Sequence, residues 1–107
     1  MLDDILTTAD KLVHGDRNDH YGEPIDDYSK VVAIYKTISG IDLDPEEGAL
    51  FMLAVKLARL ATNFEKKLIH RDSLVDAAGY LWVFASICEA QNERAAEWQS
   101  PTYGILK

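Results

Sequence analysis

Two stretches of this chain are apolar almost all the way round a helix. From Gly48 to Ala61 the run GALFMLAVKLARLA has only Lys56 and Arg59 as polar residues, and from Leu74 to Cys88 the run LVDAAGYLWVFASIC is nearly as apolar. At about 100° per residue, Leu74, Ala77, Ala78, Leu81, Phe84, Ala85 and Cys88 fall on one face of the second run. Its other side carries Asp72, Asp76, Gly79 and Tyr80 but also Val83 and Ile87, with Val75 and Trp82 on the flank. A chain of 107 residues and 12.0 kDa has room for one small core. It cannot wrap two such helices by itself, which predicts a homo-oligomer, a dimer or higher.

The remaining residues repeat at helical spacing, and no stretch alternates in the manner of a strand. The expected fold is all-α: a four-helix, antiparallel bundle completed by oligomerisation. The first helix covers roughly residues 2 to 13, with Leu2, Ile5, Leu6, Ala9, Leu12 and Val13 as its stripe, and stops at His14 and Gly15. A polar loop, HGDRNDHYGE, leads to Pro24 at the first turn of a helix carrying Ile25, Tyr28, Val31, Val32, Tyr35 and Ile38, which Gly40 ends. Asp44, Pro45 and Glu47 give the third helix a cap, a first-turn proline and a capping-box acid, and it should run to about Thr62. The fourth starts near Asp72 and Ser73, with Asp72 as its cap, and continues towards Arg94. Residues 1–94 then form one domain. The tail 95–107 has Pro101 and Gly104 as breakers, yet its Trp98, Tyr103, Ile105 and Leu106 suit docking on the body or on a partner subunit.

A net charge of -7 and a pI near 4.8 argue against non-specific nucleic-acid binding, which needs a basic surface. The lone Cys88 has no partner for an intramolecular disulfide and sits in an apolar helical pattern, where a buried, inert thiol is expected. The N-terminus begins with acids, and GALFMLAVKLARLA is too short and too charged to span a bilayer, so the expected location is the cytoplasm with no membrane partner. His14, His20 and His70 lack metal-ligand spacing, and no phosphate loop, serine elbow or dinucleotide fingerprint is present.

An aspartate on an apolar stripe must be paired, hydrogen-bonded or neutralised. If the third and fourth helices form a hairpin, Lys56 and Arg59 come opposite Asp72 and Asp76. A structural ion-pair cluster is one reading of this set. A ligand pocket is the reading favoured for the four together, because a buried ion pair often adds no more stability than apolar residues of the same size, while both signs of charge beside Gly79 suit an anionic ligand. The loop adds Asp16, Arg17, His20 and Tyr21, with Arg17 as a fork for phosphate and Tyr21 able to stack or donate a hydrogen bond. Taken alone, that loop reads as solvated, with Asp16 capping a turn and Tyr21 packing on the core.

The motifs HGDRNDHYGEP, KLAR and HRDSLVDAAGY, in that order, resemble those of a family of small phage and prophage proteins related to proteins called nucleotide modification associated. The resemblance covers roughly residues 10 to 88. More remotely the arrangement is similar to the all-α nucleoside triphosphate pyrophosphohydrolases of the MazG and dUTPase type. That similarity implies a nucleotide ligand, and in those enzymes two acidic helices hold magnesium. Here Lys56 and Arg59 stand where the first helix would have carboxylates, which leaves Asp72 and Asp76 with less charge to offer a metal.

Three functions follow from these readings. The first is a binder of a small phosphate-bearing ligand such as a nucleotide, using Arg17, Tyr21, Lys56, Arg59, Asp72, Asp76 and Tyr80 and no cofactor. The second is a divergent magnesium-dependent pyrophosphohydrolase with the metal on Asp72 and Asp76. The third is an acidic helical interaction protein without a small ligand, which the scattered placement of the acids does not favour. The binder ranks first.

Overall fold

The computed structural model describes the backbone of residues 2–97 and the side chains of residues 4–15 and 19–94. The elements in chain order are α1 (Leu2–His14), α2 (Asp16–Tyr21), α3 (Pro24–Ser39), α4 (Pro45–Glu65) and α5 (Arg71–Glu97), with no strand among the described residues. The chain is all-α. Its four long helices are the expected ones, and the polar segment expected as a loop contains the fifth, short helix α2. The expected docking of the tail involves residues 98–107, which lie outside the described residues.

Local chemistry sets the helix ends. The Asp44 N–H donates to Glu47 Oε1 at 2.9 Å, so the acid three residues past the cap satisfies a backbone donor at the start of α4. Gly40 takes a left-handed φ of 78° and donates its N–H to the Lys36 carbonyl at 2.8 Å, which stops α3. The start of α5 corrects the expected cap: Asp72 lies within the first turn, and the preceding residue is His70, whose carbonyl accepts from the Leu74 N–H. His70 Nδ1 contacts Ser73 Oγ at 2.6 Å, which gives the nearly inaccessible Ser73 a partner. Asp72 favours the helix from there through the macrodipole.

α5 is the centre of the fold, packing on α1, α3 and α4. Its first half meets α1, where Ile5 and Ala9 bury against Val75 with Leu74 and Ala78 alongside. Its second half meets α3 and α4, where Val83 and Ile87 join Ile25, Tyr28 and Ala49 in the main cluster. Val83 and Ile87 are both 0% exposed, and burial of each contributes roughly 1.5 to 3 kcal/mol. Outside the core, Arg71 holds Asp4 Oδ2 through Nε at 2.9 Å and through Nη2, tying the start of α1 to the start of α5.

By length and composition α5, over Arg71–Arg94, is apolar enough to cross a membrane. It is a longer apolar run than GALFMLAVKLARLA of α4. It packs against three helices, and 33% of that stretch is buried. Cys88 is fully buried, and desolvation, with the Glu46 carboxylate nearby, pushes its thiol pKa up, in keeping with an inert side chain.

Candidate functional site

The first half of α5 presents Val75, Gly79 and Val83 one turn apart, with Asp76 and Tyr80 in the adjacent row. These rows face Ala9, Leu12 and Val13 of α1 and His20 and Tyr21 of α2 across a cleft of about 320 Å³. A Cβ at Gly79 would lie 3.5 Å from Val13 Cγ1, an ordinary packing contact with the α1 wall of the cleft.

α2 carries Tyr21 to this cleft, and Gly15 is what permits so short a helix directly after α1. A Cβ there would fall 2.8 Å from the Lys11 carbonyl oxygen, whereas the glycine N–H bonds that same oxygen at 2.9 Å. Tyr21 remains 58% exposed and meets the His20 ring edge-on at 6.3 Å between centroids. Its phenol is therefore presented at the surface of the cleft and not consumed in the core.

The isolated aspartate on the apolar stripe is answered from α4. Lys56 Nζ reaches Asp76 Oδ2 at 2.9 Å, with 13% of the lysine side chain and 38% of the aspartate side chain exposed. The lysine is the buried member. The aspartate opens onto the cleft, where its remaining lone pairs can accept from a ligand hydroxyl or amine.

The other two charged residues of the expected cluster lie elsewhere. Three residues turn a helix by about 300°, so Arg59 sits about 60° round from Lys56. There it lines an open groove with Val55, Ala58, Thr62, Asn63 and His70. Asp72 is exposed in the first turn of α5, and among the described residues no ion pair joins it to Arg59. Arg17 belongs to α2, with its side chain outside the described residues. The structure thus gathers Tyr21, Asp76 and Tyr80 at the cleft, with Lys56 paired to Asp76, and sets Arg59 and Asp72 apart from it.

Sequence reasoning passed over the apolar wall from α1 and the part His20 takes in lining the cleft. It also passed over Glu46, a first-turn acid of α4 that is only 4% exposed, with Oε2 buried and lacking a hydrogen-bond partner. Desolvation raises its pKa, while a hydrogen bond from the Gln91 side chain works the other way. Glu46 does not line the cleft. Among the described residues no three His, Cys, Asp or Glu side chains converge on one point.

Comparison with known proteins places these features in a family. The Gene 55 protein of Mycobacterium phage L5 is 31% identical to this chain over 91 residues, which is 84% of this chain and 56% of the phage protein. The Gene 55 protein of Mycobacterium phage D29 is 36% identical over 86 residues, 75% of this chain and 50% of the phage protein. The chain spans about half the length of the curated relatives it matches. No solved structure matches it. A profile described as a domain of unknown function, DUF6378, matches residues 4–88, a span that starts in α1, ends at Cys88 and includes every residue lining the cleft. The chain belongs to the DUF6378 family.

Proposed function

We propose that this chain binds a small phosphate-bearing ligand, such as a mononucleotide, in the cleft between α1, α2 and α5. One observation supports the reading above the others: residues of three separate sequence motifs converge there. Tyr21 comes from HGDRNDHYGEP, and Asp76, Gly79 and Tyr80 come from HRDSLVDAAGY. Lys56, from KLAR, reaches the same place through Asp76. A cleft of about 320 Å³ is at the small end of ligand pockets, which favours one nucleotide over a dinucleotide.

In this reading Tyr21 and Tyr80 hold the base by stacking or by phenol hydrogen bonds. Asp76 accepts from a sugar hydroxyl or a base amine, and Lys56 cancels its charge so that an anion is not repelled. Arg17, on the same short helix as Tyr21, supplies the fork for phosphate. Arg59, from its groove on α4, and Asp72, from the exposed first turn of α5, contribute to any part of the ligand that extends beyond the cleft. The same proposal takes the helices as an antiparallel bundle that assembles into an oligomer. It takes the protein as phage-encoded and acting in the host cytoplasm, with a remote likeness to the MazG-type enzymes.

A thermal-shift series with nucleoside mono-, di- and triphosphates, with and without magnesium, tests the binding, since a ligand held only by the native state raises the melting temperature. Binding without magnesium is expected, and it should be lost in Tyr21→Ala, whose parent side chain is exposed enough that the unliganded melting temperature stays unchanged. No shift with any nucleotide at millimolar concentration refutes the proposal. A magnesium-dependent shift with release of pyrophosphate replaces it with hydrolysis.

A further inference from the structure

The side of α4 turned away from the core is apolar. Gly48, Ala49 and Lys56 mark its inward side, and opposite them Leu50, Ala54, Leu57, Ala61 and Phe64 follow at intervals of four, three, four and three residues, all exposed. That is the spacing of a coiled-coil seam. Leu50, Phe51, Leu57 and Phe64 are 43%, 66%, 51% and 79% exposed. At ~200 Å² for each large side chain they leave ~500 Å² open, and Leu68 and Ile69 just beyond the helix add ~250 Å². A stable pair of proteins covers about 800 Å² on each partner, so this face has the size of one half of a dimer interface.

We infer that a second copy of this chain lays its α4 antiparallel on this face, about a two-fold axis close to Leu57. Charge fixes the direction. Glu47 lies at the start of the stripe, three residues before Leu50, and Lys66 and Lys67 lie just past its other end, beyond the last residue of α4. An antiparallel pair centred on Leu57 brings Glu47 of each copy to the end where Lys66 and Lys67 of the other copy lie, and also opposes the two helix dipoles. A parallel pair sets acid against acid and lysines against lysines. The antiparallel alignment also brings Phe64 of the second copy beside Leu50 and Phe51, at the groove of about 270 Å³ that Phe51 forms with Val31, Tyr35 and Leu43. Ala54 and Ala61, between the large residues, let the two backbones come close.

The cleft is left open in this dimer, because no α4 residue lines it and Lys56, which pairs with Asp76, is on the other side of the helix. The inference gives the proposed oligomer a definite surface and does not depend on the ligand, so a test that reads mass separates its failure from that of nucleotide binding.

Light scattering on the full chain at micromolar concentration should give twice 12.0 kDa. Leu57→Glu and Phe64→Glu, both at exposed positions, should each give a single 12.0 kDa species with the parent helical circular dichroism. With Cys88→Ala as background, Leu57→Cys should oxidise to a disulfide-linked dimer, while Ile38→Cys on α3, itself 78% exposed, should not. A parent mass of 12.0 kDa overturns the inference and leaves the tail or another protein as the cover of this face. A dimer that survives both glutamate variants, or one that cross-links at position 38 and not at 57, overturns it as well.

Discussion

Asp76→Ala is the substitution whose cost follows most directly from the geometry. The Lys56–Asp76 pair spans 2.9 Å and is unequally sheltered, since only 13% of the lysine side chain but 38% of the aspartate side chain is exposed. Removing one partner of a fully buried pair costs about 3 to 5 kcal/mol, because a charge is stranded. Here the vacated carboxylate position opens onto the cleft and admits water to the ammonium, which lowers the expected cost to about 2 kcal/mol. Lys56→Met keeps the packing of the stem and leaves Asp76 with its own access to water, for a loss of about 1 kcal/mol or less. The double variant strands no charge and should lose no more than Lys56→Met alone, which makes the coupling about 2 kcal/mol. Urea unfolding followed by far-ultraviolet circular dichroism, with an unchanged denaturant slope, measures all three. Asp76→Ala should also melt about 8 °C lower than the parent. If it stays within about 0.5 kcal/mol of the parent, the level of an ordinary surface substitution, or if Lys56→Met costs more than Asp76→Ala, the reading of Lys56 as the buried and dependent member is wrong.

Glu46 and Gly48 provide two further checks. Desolvation raises the Glu46 carboxyl pKa, so the native state keeps that proton at pH values where the unfolded chain has released it, and stability falls as pH rises above the ordinary glutamate value. Glu46→Gln should remove that fall, with its melting-temperature advantage small at pH 4 and larger at pH 7; an advantage constant across that range contradicts the buried acid. At Gly48 an added Cβ would sit 3.2 Å from both Tyr28 Cδ2 and Val32 Cγ1. Gly48→Val should therefore push α3 from α4 and cost about 3 kcal/mol by overpacking in urea unfolding, and a stability equal to the parent's would show that α3 yields freely.

The four long helices were legible because their signals are local. The cap, proline and acid at Asp44, Pro45 and Glu47 and the stop at Gly40 act within one turn, whatever packs around them. α2 was not legible: DRNDHY is six polar residues with no apolar period, and it forms where Gly15 allows the chain to pass close to the Lys11 carbonyl. Its Tyr21 becomes a cleft residue only because α1 and α5 stand beside it.

The sequence by itself determined the all-α class, the start of α4 and the stop of α3, and the need to answer a charge at Asp76, because propensity, capping and the cost of burying an ion depend on residue type. Only the tertiary structure decided which cation answers it. Lys56 and Arg59 are one turn apart and alike in charge, and the rotation of α4 about its axis turns the first towards α5 and the second into an open groove. The same rotation leaves Leu50, Leu57 and Phe64 facing out. That angle is set by the packing of Gly48 and Ala49 against the other helices, a sum over contacts distant in the chain that no local pattern contains.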